Sequence, residues 1–175
     1  MKLGSASGST RLPVGAGRVR GVLLHKSMEE LITGELADTP AQVEARAVGL
    51  RLQLASLEGL EDNEMPDAAE CAATALATLA LPELADLRSK LVAELPLYGI
   101  CEGGALMAGR ADAVVVEDGR IEVVVDWKSD VNPTAQERAG YVGQLADYLA
   151  VTGAPRGAIV YMTRREVVWV RAMAT

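Results

Sequence analysis

Asp126 and Lys128 stand two residues apart near the end of Ile121–Lys128 (IEVVVDWK), a run otherwise rich in valine and closed by a tryptophan. Strand alternation puts Ile121, Val123, Val125 and Trp127 on one face, and Glu122, Val124, Asp126 and Lys128 on the other. A carboxylate and an ammonium at the end of so apolar a run are costly unless they pair or bind something. The preceding run, G-R-A-D-A-V-V-V, carries Asp112 in similar surroundings, and E-D-G-R joins the two runs. This is the clearest hairpin signal in the chain. Two acids and a lysine then gather at one end of it.

Register decides whether they can cooperate. A plain two-residue Asp118-Gly119 turn sets Asp112 opposite Val125, on the wrong face from Asp126. A three-residue loop with Gly119 left-handed, or a single β-bulge, sets Asp112 opposite Asp126 instead. The chemistry requires the second arrangement. Two carboxylates at that distance repel unless a cation lies between them, and hard oxygen ligands favour Mg²⁺ or Mn²⁺. Such an ion lowers the pKa of bound water and stabilises charge on a phosphoryl oxygen. Lys128 then orients or deprotonates the attacking water, or neutralises charge at the phosphate. The reaction is hydrolysis of a phosphodiester. The plain alternative is an Asp–Lys surface pair on an edge strand.

These residues need a scaffold. Val22, Leu23, Met28, Leu31 and Ile32 recur at helical spacing from Arg20 onward, and Thr39-Pro40 opens a second helix running to about Leu57. A third helix spans about 67–79, and a short one follows Pro82. The period then changes. Strands are expected from Lys90 to Leu97, Leu106 to Val116 and Ile121 to Lys128. A helix opened by Pro133 runs through Tyr148 and stops near Gly153. A last strand pair covers 157–162 and 166–171. Helices followed by β-β-β-α-β-β imply an α/β (mixed α+β) fold, a central mixed sheet flanked by helices with an N-terminal helical layer. Residues 1–19 read as a flexible leader or linker, and 20–175 as one domain, helical over about 20–89 and sheet-containing over about 90–171.

The composition narrows the functions available. A chain of 175 residues, half of them apolar but with no Phe, can build a core from Leu, Val and Ala. The net charge of −7 argues against a free-standing DNA binder, since phosphate contacts normally demand a basic face. Either basic groups cluster locally or another polypeptide supplies most of the grip, and the second is favoured. Cys71 and Cys101 have no metal-ligand spacing, so a four-cysteine zinc or iron–sulfur site is excluded. No apolar run reaches transmembrane length and no signal-peptide core opens the chain, so the expectation is a cytoplasmic protein without a membrane partner.

The stretch G-R-A-D-A-V-V-V … V-V-D-W-K-S-D … Y-V-G-Q-L-A-D-Y resembles the nuclease domain of RecB and AddA, in the PD-(D/E)XK superfamily. The family pattern is G-x-x-D, then D-[YW]-K-[ST], then Q-L-x-x-Y on the following helix. Asp112, Asp126 and Lys128 match the catalytic trio, and Gln144 and Tyr148 the helix motif, with Tyr141 one turn before Gln144. R-G-V-L-L-H-K-S-M-E is similar to the family's G-x-x-x-H-x-x-x-E helix, which makes His25, the chain's one histidine, a metal-ligand candidate. The resemblance thus implies a restriction-endonuclease-like fold and a metal site of His25, Asp112, Asp126 and the Trp127 backbone carbonyl. Glu29 is a candidate to orient the imidazole. Glu94 falls where relatives often carry an acid on the first strand. Arg110, Arg156, Arg164 and Arg165 could touch phosphates or simply lie in solvated turns, and Asp130 could cap the next helix.

RecB and AddA also carry helicase motors, but no G-x-x-x-x-G-K-[ST] loop occurs here. The resemblance therefore implies a DNA nuclease module for double-strand-break repair, with a helicase motor domain or subunit supplied outside this chain. Two alternatives stand beside it: a catalytically silent nuclease-like interaction module, and a stand-alone phage-type or repair exonuclease.

Overall fold

Apolar residues in the first helix keep a 3.6-residue beat, so Leu23, Leu24, Ser27, Met28 and Leu31 share one buried stripe. A computed structural model, which describes residues 17–100 and 106–172, builds on that stripe. The helices α1 (Gly17–Thr33), α2 (Pro40–Glu58), α3 (Ala68–Leu79) and the short α4 (Pro82–Ala85) come first. Strands β1 (Leu91–Ile100), β2 (Leu106–Glu117) and β3 (Arg120–Lys128) follow, then α5 (Ala135–Thr152), β4 (Arg156–Tyr161) and β5 (Glu166–Arg171). The sheet has five strands in the order β1-β2-β3-β4-β5, antiparallel except for the β3/β4 pair. A parallel pair needs a long crossover, and α5 supplies it. This is the expected mixed sheet flanked by helices.

Local chemistry sets several boundaries. Pro40 sits in the first turn of α2, where its missing N–H costs nothing, and Gly59 closes that helix in the left-handed conformation. Thr134 and Glu137 form a reciprocal capping box at the start of α5, and Gly153 ends it at φ 70°. Pro133 therefore precedes the helix rather than opening it. Helix α1 begins at Gly17, inside the expected leader, while residues 1–16 lie outside the described residues, as does Cys101. No single helix among the described residues is long and apolar enough to cross a membrane.

Two cores sandwich the sheet. Leu23, Leu24, Met28, Val43, Ala47 and Ala75 of the helical layer pack on Val123, Val125 and Trp127. On the opposite face, Leu145, Tyr148 and Leu149 of α5 pack on Val124, Ile159 and Tyr161. Each fully buried Leu or Val side chain is worth about 1.5–3 kcal/mol relative to exposure, so both layers are firmly anchored. A Cβ at Gly157 would lie 2.8 Å from the Leu145 side chain and 2.9 Å from the Val124 carbonyl, so α5 sits directly on the backbone of β4 there. The buried Cys71 thiol is pushed up to about 12 by burial and stays protonated.

The hairpin register departs from plain alternation twice. Asp118 and Gly119 form a two-residue turn with φ of 48° and 74°, pairing Glu117 with Arg120. One step later a bulge intervenes: Val116 pairs with Ile121, but Val115 pairs with Val123. Glu122 is the extra residue, and Ile121 consequently packs against the α5-side core rather than with Val123, Val125 and Trp127. The face assigned to Ile121 from simple alternation is corrected by that bulge. The second departure is Glu94. The pairs Ala93↔Ala113 and Leu95↔Ala111 leave it opposite Asp112, and its φ is 57°. Both strands change face there, Ala113 lying in the helical-layer core and Ala111 in the α5-side core.

Candidate active site

The pairing of β2 with β3 ends at Ala113↔Val125, so the next pair in register is Asp112 and Asp126. At that point β2 stays with β1 while β3 continues beside β4, and a notch opens between β2 and β3. The bulge at Glu122 brings the two acids level across it, as the chemistry demands. Asp112 Oδ2 accepts a hydrogen bond from the Trp127 amide at 2.7 Å, in place of the missing backbone partner. In a strand the N–H and C=O of one residue point to the same side, so the Trp127 carbonyl is directed toward the notch as well.

Asp126 is 5 % exposed. Lys128 Nζ stands 2.8 Å from Asp126 Oδ2 as an ion pair. Burial raises the Asp126 carboxyl to about 6, and the adjacent Asp112 carboxylate works in the same direction against the pull of Lys128. His25 Nδ1 approaches Asp112 Oδ1 at 3.3 Å from α1. Burial disfavours the imidazolium, yet Asp112 outweighs it and holds the His25 pKa above its ordinary value.

Helix α5 closes the other side. Lys128 Nζ donates to Gln144 Oε1 at 3.2 Å and lies 4.4 Å from the centre of the Tyr141 ring. Gln144 Nε2 in turn donates to the Tyr148 hydroxyl at 3.3 Å. Gly109 packs closely beside Tyr148, since a Cβ there would lie 3.1 Å from the ring. Two open hollows flank the notch. One of about 470 Å³ is lined by Gly21, Val22, His25, Lys26, Glu29 and Glu94, the other of about 490 Å³ by Met107, Ala108, Gly140, Gln144, Asp147 and Tyr148.

The structure brings together His25, Asp112, Asp126, Lys128, Tyr141, Gln144 and Tyr148. Other candidates take different partners. Glu29 pairs with Lys26 at 3.0 Å and does not orient His25, whose partner is Asp112. Asp130 accepts from the Tyr141 hydroxyl at 3.0 Å, and Thr134 rather than Asp130 caps α5. That bond and burial push the Tyr141 hydroxyl up to about 12, burial contributing most. Arg110 pairs with Glu94 at 2.6 Å, Arg164 with Glu166 at 2.9 Å, and Arg156 stacks on Trp169. Sequence reasoning passed over Arg20, which links α1, α3 and the end of β3. Its signal was available: Arg20 lies in phase with the apolar stripe at Leu23, Leu24, Ser27 and Met28.

Among the described residues, no three His, Cys, Asp or Glu side chains form a closed ligand cluster as they stand. Asp112 is engaged by His25 and the Trp127 amide, and Asp126 by Lys128, so an ion must displace some of these contacts. The donor set nonetheless suits one. A buried Asp126 carboxylate, a second carboxylate level with it and an imidazole on the same notch are what a hard divalent cation would satisfy.

A mixed five-stranded sheet whose acids and lysine sit where two strands part defines a restriction-endonuclease-like nuclease fold. The chain belongs to the PD-(D/E)XK nuclease superfamily, whose model matches residues 6–166. Nucleases of this superfamily generally use divalent metals. The solved structure of SSO0001 is similar, at 19 % identity and a TM-score of 0.40, covering 90 % of this chain and 80 % of that one. A search of curated proteins found no match.

Proposed function

We propose that the chain is a Mg²⁺- or Mn²⁺-dependent deoxyribonuclease whose catalytic residues are Asp112, Asp126 and Lys128. The observation that carries this reading is the pair of carboxylates, Asp112 and the buried Asp126, level across the β2/β3 notch with Lys128 2.8 Å from Asp126. Two carboxylates so placed repel each other, and a divalent cation between them explains their retention. His25, Asp112, Asp126 and the Trp127 carbonyl would hold the ion. A divalent ion bound there supplies Lewis-acid polarisation of the phosphate and makes water a better nucleophile.

The protein's own groups do the rest. Gln144 and the Tyr141 ring fix the Lys128 ammonium at the mouth of the notch, where it orients water or balances charge growing on the phosphate. Tyr148 steadies Gln144. Two observations favour delegated DNA binding. The net charge is −7, and Arg110, Arg138 and Arg164 are already committed to Glu94 and Glu166. A cytoplasmic RecB/AddA-type nuclease module working in break repair with a separate helicase motor fits that deficit.

Linear and circular DNA, incubated with the protein in Mg²⁺, Mn²⁺ or EDTA, test the proposal. Cleavage is expected with either ion and none in EDTA. Cleavage untouched by EDTA would defeat the mechanism.

A further inference from the structure

Arg20 is only 3 % exposed, yet every part of its guanidinium is engaged. Nε and Nη2 donate to the two Glu70 carboxylate oxygens at 3.1 and 2.6 Å. Nη1 donates to the Ser129 carbonyl at 2.7 Å and to the Thr163 hydroxyl at 2.9 Å. Thr163 itself donates to the same Ser129 carbonyl at 3.1 Å. One planar group thus joins α1, α3, the residue following Lys128, and the turn after β4. Burial alone would raise the Glu70 carboxyl, and the bonds from Arg20 and Thr74 more than reverse it, so Glu70 remains a firm anchor.

The location matters more than the bond count. Arg20 lies five residues before His25 on α1, a separation of about 7.5 Å along a helix axis. Ser129 directly follows Lys128 and lies three residues after Asp126. The two halves of the candidate site, His25 on a helix and Asp126 and Lys128 on a strand, come from different layers. Close approach at Gly21 reinforces the junction, since a Cβ there would lie 3.1 Å from the Ser129 side-chain hydroxyl. A lysine could not span these acceptors, because a point ammonium lacks the guanidinium's planar fork.

We infer that Arg20 is a positioning residue: its fork between Glu70 and the Ser129 carbonyl sets the distance of His25 from Asp112 and Asp126. It does not touch substrate. The inference rests on the proposed metal site and adds to it the element that holds the site's two halves in register.

The test must separate positioning from stability. Replacing Arg20 alone strands Glu70 and can destabilise the whole fold. The double variant Arg20→Met, Glu70→Met removes both charges and restores packing, so its melting temperature should return close to that of the parent. Mn²⁺ affinity, measured by calorimetry or by the electron paramagnetic resonance of bound Mn²⁺, should nevertheless fall by at least about tenfold. DNA cleavage should show kcat lowered by about ten- to a hundredfold with KM within about twofold, because substrate contacts are untouched. Thr163→Val, which removes one Ser129 partner without stranding a charge, provides a second arm if the double variant does not fold. It should weaken Mn²⁺ by about threefold or more, and Arg20→Lys should not rescue parental affinity. Parental Mn²⁺ affinity in a folded double variant, or in Thr163→Val if the double variant fails to fold, would overturn the inference and leave the nuclease reading standing. A parent protein that binds no Mn²⁺ would sink both. A parent that binds Mn²⁺ but cuts no DNA would sink only the nuclease reading, and the affinities would still judge Arg20.

Discussion

Two buried charge clusters meet the same end of β3, and they are built on opposite terms. Around Arg20, every guanidinium nitrogen finds an acceptor, the carboxylate answers with both oxygens, and a backbone carbonyl completes the set. Around Asp126, two carboxylates crowd one lysine, and burial raises the acid to about 6. The first cluster has the form of structure already satisfied. The second has the form of a group kept costly because something else completes it. Only a few residues separate them, so burial and charge alone do not mark function; the difference lies in whether the local partners suffice.

The largest expected effect breaks the second cluster. Asp126→Ala and Asp112→Asn should each abolish metal-dependent cleavage while circular dichroism and the unfolding midpoint stay native-like. Lys128→Ala should lower kcat by at least about a hundredfold, read in single-turnover assays.

Stability should respond in the opposite sense at the two clusters. Glu70→Ala strands Arg20 and should cost roughly 2–3 kcal/mol, below the value for a fully buried pair because Glu70 remains 30 % exposed. Asp126→Asn should not destabilise the metal-free protein at pH 8. The sign follows from the raised carboxyl: its folded pKa of about 6 exceeds the ordinary 3.8, so the native state binds the proton more tightly. Its contribution is complete below about 3.8 and is lost as pH rises through about 6. Denaturant titrations of the metal-free parent, referenced to Asp126→Asn, should therefore show stability falling between pH 4 and 6, by at most roughly 3 kcal/mol. A difference that rises over that window would mean that Asp126 is stabilised as an anion without metal.

The smallest effect concerns the tether on Lys128. Gln144→Ala should reduce kcat by about tenfold with little change in stability, since the ammonium keeps Asp126 and the Tyr141 ring.

The periodicities made the layers legible, because apolar stripes at helical spacing and the valine-rich strands each encode their own element. The acids could be named for the same reason: Asp112 and Asp126 interrupt runs that are otherwise apolar. Their register could be narrowed to a bulge or a longer loop, but not to Glu122, since an acid between Ile121 and Val123 reads equally well as an ordinary outward-facing strand position. The left-handed Glu94 was equally hidden. A non-glycine residue there costs about 1–2 kcal/mol, and tertiary contacts such as the bond from Arg110 hold it. Glu29 and Asp130 misled because a carboxylate near a site on one helix or loop has several neighbours within reach, and only the fold selects Lys26 and Tyr141. Arg20 was legible but given no role, although it lies on the buried stripe of α1.

Anomalous diffraction from crystals grown with Mn²⁺ tests the central claim most directly. The account predicts one strong peak in the β2/β3 notch, within coordinating distance of an oxygen from each of Asp112 and Asp126, and its disappearance in Asp126→Ala. Manganese bound elsewhere, with both carboxylates still facing only His25, the Trp127 amide and Lys128, would contradict it.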